Sequence, residues 1–141
     1  MAYREKREFE MKLILIILLL VLSVTLFAKG NSVVDKKSSL EWQDNIEHNE
    51  LIWKLSRGYC SQLALGGFHD WRMPTKEELT ALSKNKKLKK QFSHFENALY
   101  WSASPDKNDD LSAHTIYSGN GHDSISDKCD KYLAICVRDY K

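Results

Sequence analysis

The longest unbroken pattern in the chain is Leu13–Ala28, LILIILLLVLSVTLFA, apolar at every position except Ser23 and Thr25. Lys12 precedes it, a small residue closes it, and the polar Lys29-Gly30-Asn31 follows. A basic start, an apolar centre and a small residue at the cut are the layout of a secretory signal peptide. An uncleaved membrane anchor is the rival reading. The run is shorter than the ~20 apolar residues that span a bilayer comfortably, while Leu26 is a poor residue three positions before a cut. Met11 makes a natural start, so residues 1–10 read as an upstream extension. Either way residues 29–141 are expected to be exported, to the periplasm or the cell surface, with the basic flank left inside. They form one domain, with residues 1–28 as signal or anchor.

After residue 28 the pattern changes to short alternations. Residues 32–43, SVVDKKSSLEWQ, read as two strands around a turn at Asp35–Ser39, with Leu40 and Trp42 on one face of the second. Asp44–Glu50 reads as polar loop. Leu51–Leu65 has helical spacing: Ile52, Tyr59 and Leu63 form a stripe, with Trp53, Cys60 and Ala64 beside it, and Lys54, Arg57 and Gln62 face out. Gly58 interrupts it at a cost of about 1 kcal/mol relative to alanine. Gly66-Gly67 is expected to stop this helix in left-handed geometry, and Phe68–Met73 to be extended before Pro74. Thr75 and Glu78 make a capping box for a helix whose apolar face begins at Leu79 and Leu82. A helical continuation would turn Leu88, Phe92 and Phe95 inward.

Further on, Leu99–Ser102 and Ala113–Ser118 read as strands, and Asn120-Gly121 as a hairpin turn. Tyr132–Arg138, YLAICVR, alternates cleanly. Leu133, Ile135 and Val137 occupy one face; Tyr132, Ala134, Cys136 and Arg138 occupy the other. Two early helices and several late antiparallel strands predict an α+β domain.

Composition adds three constraints. The exported part holds 17 Lys/Arg and 16 Asp/Glu in 113 residues, so overall charge gives no argument for nucleic acid. Trp42, Trp53, Trp71 and Trp101 supply bulky core. The cysteines are Cys60, Cys129 and Cys136, and export permits a bridge. Cys60–Cys136 is the favoured pairing and Cys60–Cys129 the second. A bridge over so long a loop contributes roughly 4 kcal/mol in the chain-entropy model.

The order EWQD (41–44), YC..L (59–63), GGFHDWRMPT..EL (66–79), YWSAS (100–104) and CVR (136–138) resembles the Lcl C-terminal domain family, named for the C-terminal domain of a bacterial collagen-like adhesin. The resemblance covers about residues 33–139. It implies an exported C-type-lectin-like domain, related also to sulfatase-modifying-factor-like folds, and, in the adhesin, binding of sulfated polysaccharide. The sequence departs from the family at Ser38-Ser39-Leu40-Glu41-Trp42, where Thr-Gly-Leu-Met-Trp is usual, and at Ile135, where arginine is usual. The adhesin's collagen-like stalk is absent.

Candidate chemistry is sparse. Asp70, Trp71, Arg72, Pro74, Thr75, Glu78 and Trp101 read as structural: Trp71 enters the core, Asp70 and Arg72 lie on the other side, and a buried arginine fixes a loop-rich fold through its planar donors. Lys84, Lys86, Lys87, Lys89 and Lys90, five lysines in seven residues, are the candidate ligand site, able to hold sulfate or other anionic groups. Arg57 and Lys76 would extend it. Asp106–Asp110 starts like a calcium loop, but Leu111 stands where glycine is needed and Tyr117 where glutamate is needed. The histidines His48, His69, His94, His114 and His122 lack metal-ligand spacing, and Ser102 and Ser104 are not in a nucleophile elbow. The expectation is therefore a non-catalytic binding module without cofactor or metal, recognising an anionic polysaccharide or an envelope protein. The alternative is an inert structural or assembly component of the envelope.

Overall fold

The computed structural model describes residues 2–27, 31–44 and 50–141, with the side chains of residues 2, 3 and 18–27 left out. Two compact units result, Met1–Gly30 and Asn31–Lys141. The first is a single helix, α1 (Ala2–Phe27). Among the described residues, no helix is long and apolar enough to cross a membrane. The expected cut after Ala28 lies outside the described residues.

The second unit is a mixed α+β structure. Its described residues form β1 (Ser32–Asp35), β2 (Leu40–Gln43), β3 (Glu50–Leu51), α2 (Trp53–Gln62), α3 (Lys76–Lys84), α4 (Lys86–Lys89), β4 (Leu99–Pro105), β5 (Ser112–Tyr117), β6 (His122–Asp127), β7 (Tyr132–Leu133) and β8 (Val137–Asp139). A three-stranded sheet runs β1-β2-β8 and a five-stranded sheet β3-β7-β4-β5-β6. Pairing is antiparallel except for β4 with β7. The turn between β1 and β2 places Ser39 at φ 54. That is left-handed geometry, which costs a residue with a Cβ roughly 1–2 kcal/mol, and it falls where the family's usual motif has glycine.

The single strand expected over Tyr132–Arg138 is two. The chain leaves the five-stranded sheet after Leu133 and joins the three-stranded one at Val137. The backbone polar groups at this crossing need partners, and Gln43 supplies them. Its N–H donates to the Cys136 carbonyl at 2.9 Å, and its Oε1 accepts from the Cys136 N–H at 3.0 Å. The alternation itself survives. Leu133, Ile135 and Val137 pack with Val33, Leu40, Trp42, Leu79, Leu82, Leu88, Tyr100 and Ile116 in one cluster. Cys136 packs with Cys60, Trp71, Met73, Trp101 and Ala113 in another, with Tyr132 against it.

The first helix is shorter than its periodicity suggests. α2 spans Trp53–Gln62, with Ile52 before it and Leu63 after it in extended geometry, and Ala64 is exposed. The glycine pair does not stop it. Gly66 and Gly67, at φ 64 and 80, are the centre of a two-residue turn in which Leu65 and Phe68 exchange backbone hydrogen bonds. Both left-handed positions favour glycine there, as in a type I′ hairpin. Asp44 is likewise not loop surface. It is buried, and its carboxylate accepts from the Ser93 and His94 N–H groups at 2.8 and 2.9 Å.

Candidate functional site

The segment from Asp70 to Glu78 is held from every side. Arg72 exchanges backbone hydrogen bonds with Val137 at 2.9 and 2.8 Å, which fixes the segment against β8. Trp71 is buried and its Nε1 donates to the Leu65 carbonyl at 3.2 Å. Pro74 is fully buried, and its carbonyl accepts from the Ala103 N–H at 2.7 Å. Thr75 caps α3 through the expected box: its hydroxyl accepts from the Glu78 N–H, and Glu78 accepts from the Thr75 N–H. Trp101 is fully buried, with its Nε1 donating to the Leu51 carbonyl at 2.8 Å.

The buried arginine is not Arg72, whose side chain is 41% exposed, but Arg138, at 6%. Arg138 sits one turn of the alternation beyond Cys136 on the same face, a position that points inward. Its Nε donates to Asp70 at 2.7 Å and its Nη1 to Glu41 at 2.6 Å. Its guanidinium lies 3.6 Å from the centre of the Phe68 ring. Those hydrogen bonds raise its pKa, and the reciprocal bond holds the Asp70 carboxyl below its ordinary value. Arg72 instead grips Glu78 through two 2.8 Å hydrogen bonds and reaches Asp139 at 3.1 Å. Burial opposes the charge on Glu78, but the bonds from Arg72 and the Thr75 N–H outweigh it and lower its pKa. The charges of this motif are thus consumed internally, as a structural role requires.

The lysines divide. Lys84 ends α3, and its methylenes lie against Gly121. Lys86, Lys87 and Lys89 form the four-residue α4, capped by the Asn85 side chain and anchored by buried Leu88. Lys89 is half-buried, and its Nζ donates to the carbonyls of Ser118 and Gly119 at 2.8 and 3.3 Å. It serves the β5–β6 turn. Lys86, Lys87 and Lys90 are exposed and have no ion-pair partner among the described residues. Lys76 pairs with Asp123 at 3.7 Å. Arg57 lies 4.9 Å from the Trp53 ring centre and lines a groove of its own.

A larger groove, about 770 Å³, runs between the β1–β2 turn and α3. Its rim sets Asp35 and Glu77 against Lys37 and Lys84, so it selects neither sign of charge. Among the described residues, no group of three or more His, Cys, Asp or Glu side chains could hold a metal ion. Cys60 and Cys136 form the expected bridge, and Cys129 is exposed and free.

The family model of the Lcl C-terminal domain matches residues 31–138, which is nearly the whole second unit. The chain belongs to that family. Within this Lcl C-terminal domain the matched region ends at Arg138, the residue that joins β8 to Glu41 and Asp70. No curated protein matches the chain closely. Gln43, Asp44 and Arg138 fall inside the EWQD and CVR motifs that carry the resemblance, but their bonding roles were not read from the sequence. For Arg138 the signal was present in its parity with Cys136. For Gln43 and Asp44 the only signal was their place in EWQD, since Gln43 reads as the polar end of a strand and Asp44 as the start of a loop.

Proposed function

We propose that this Lcl C-terminal domain is an exported, non-catalytic binding module of C-type-lectin-like architecture, and that it recognises an anionic, sulfated polysaccharide through the lysine face around α4. The observation that carries this reading is the exposure of Lys86, Lys87 and Lys90 without ion-pair partners on a turn held in place by Leu88 and Lys89. Closely spaced ammonium groups on a fixed turn attract an extended polyanion, with a strength that falls as salt screens them. Family membership and the Cys60–Cys136 bridge support export.

The test is chromatography of the full-length chain, solubilised in mild detergent, on immobilised heparin. Retention at low salt is expected, with elution moved to clearly lower salt by Lys86→Glu, Lys87→Glu and Lys90→Glu together. Lys89 is left intact because its loss would unseat the β5–β6 turn. No retention at low salt, or retention that the triple substitution leaves unchanged, would favour an inert structural component of the envelope instead.

A further inference from the structure

A second groove, of about 590 Å³, lies along α2 and is lined by Trp53, Lys54, Arg57, Gly58, Met73 and Thr75, among others. Its size falls within the range of small-molecule sites. Gly58 is the anomaly in it. A glycine inside a helix loses more backbone freedom than any other residue and destabilises the helix, a cost that a strained backbone or a crowding neighbour can require. Neither does so here. Gly58 is absent from the positive-φ glycines, and a Cβ built on it would meet nothing within 4 Å. The space left by the absent side chain opens into the groove.

The same groove gathers positive charge. Lys54 and Arg57 line it, and neither has a carboxylate partner among the described residues. Arg57 lies over the Trp53 ring, 4.9 Å from its centre; Lys128, 4.7 Å from the same centre, lies outside the groove and donates to the Asp110 carbonyl. That ring is fixed, because its Nε1 donates to the Ser102 carbonyl at 2.8 Å. Arg72 also lines the groove, but Glu78 and Asp139 neutralise it. An apolar floor with uncompensated cations at its edge suits one chemistry.

We propose that this groove binds a small organic anion of monosaccharide size. Its carboxylate or sulfate sits on Arg57 and Lys54, and its less polar body fills the space above Gly58 against Trp53 and Met73. The absent side chain at position 58 then makes room for the ligand at the expense of helix stability. The site shares no residue with the lysine face around α4, and the proposal stands independently of it.

The test follows the Gly58 and Arg57 amide signals of the ¹⁵N-labelled full-length chain in detergent micelles. The titrants are glucuronate, glucose 6-sulfate and benzoate, with glucose as the neutral control. Saturable shifts are expected with at least one anion and none with glucose. A response to the sugars alone, or to benzoate as well, distinguishes a saccharide ligand from a general organic acid, and either supports the site. Arg57→Gln is expected to weaken binding at least tenfold and Gly58→Leu to abolish it, while the Lys86/Lys87/Lys90→Glu triple variant binds as the parent does. Gly58→Ala is expected to melt at a higher temperature than the parent, which checks that the fold does not need the glycine. The proposal is overturned by the absence of saturable shifts with every anion, by undiminished binding in Gly58→Leu, by loss of binding in the lysine triple variant, or by a lowered melting temperature in Gly58→Ala.

Discussion

The two hydrophobic clusters of the second unit are held by different physics. The first, around Leu79, Leu82, Ile116 and Val137, is almost wholly aliphatic and aromatic. Its one tryptophan, Trp42, buries an indole N–H that has no partner among the described residues. The second, around Cys60, Trp71, Trp101 and Cys136, is built from directional bonds. The indole N–H groups of Trp53, Trp71 and Trp101 each donate to a backbone carbonyl, and a disulfide crosses it. One cluster is stabilised chiefly by removing surface from water. The other surrounds poorly regular backbone, between Leu63 and Pro74, where polar groups have no ladder to join and side chains must satisfy them. The difference teaches that these tryptophans are not interchangeable bulk: three serve as donors that organise loops, and one fills volume.

Reagents and substitutions that strike one cluster only will separate the two contributions. The largest effect is expected from the bridge. It closes a separation of 76 residues, so Cys60→Ser with Cys136→Ser should cost about 4 kcal/mol in urea unfolding. The parent protein under reducing conditions should follow the same curve. Next comes Arg138→Met, which leaves the Glu41 carboxylate buried without its partner and should cost about 3 kcal/mol. Asp70→Asn, at the exposed end of the same arginine, should change stability far less, because solvent screens that ion pair; equal losses in the two variants would refute a buried charge pair as the key.

Alkali should attack the first cluster in turn. Burial raises the Tyr100 hydroxyl to about 12, against 10.0 for an ordinary tyrosine. The folded state therefore holds this proton more tightly than the unfolded one. The associated stability is intact below pH 10 and is lost between about 10 and 12, by roughly 2–3 kcal/mol. Tyr100→Phe should flatten that part of the profile in pH-dependent denaturation. The smallest contrast lies between tryptophans. Trp101→Phe removes the donor that bonds the Leu51 carbonyl, whereas Trp42→Phe removes a donor that has no partner among the described residues. The first should be the more damaging by about 1 kcal/mol beyond the shared loss of volume.

Much of the fold could be read from residue pattern because much of it is governed by parity and caps. The alternation of Tyr132–Arg138 assigns each side chain to its cluster even though the backbone there changes sheets. Thr75 and Glu78 announce α3, and the long-range cysteine pairing follows from the face on which Cys136 falls. What pattern could not give depends on partners distant in sequence. Gln43 matters because Cys136 passes beside it, 93 residues later. Gly66-Gly67 carries the same left-handed preference whether it ends a helix or turns a hairpin, so the residues alone do not choose between them. Arg72 and Arg138 are equally arginine, and the parity that Arg138 shares with Cys136 is the one sign in the sequence of which is buried. The lysine run was visible, but the diversion of Lys89 to the β5–β6 turn was not.

The passage of Ala134–Cys136 between the two sheets also bears on how the chain oxidises. Cys136 reaches Cys60, at a Cα separation of 5.4 Å, only when Leu133, Ile135 and Val137 have already committed to the opposite side. A one-residue slip would exchange the two sets and turn the thiol away from its mate. Cys129, seven positions earlier, is exposed and free in the same structure. The Cys60–Cys136 bond is thereby compatible with this register of the last strands and not with one shifted by a single residue.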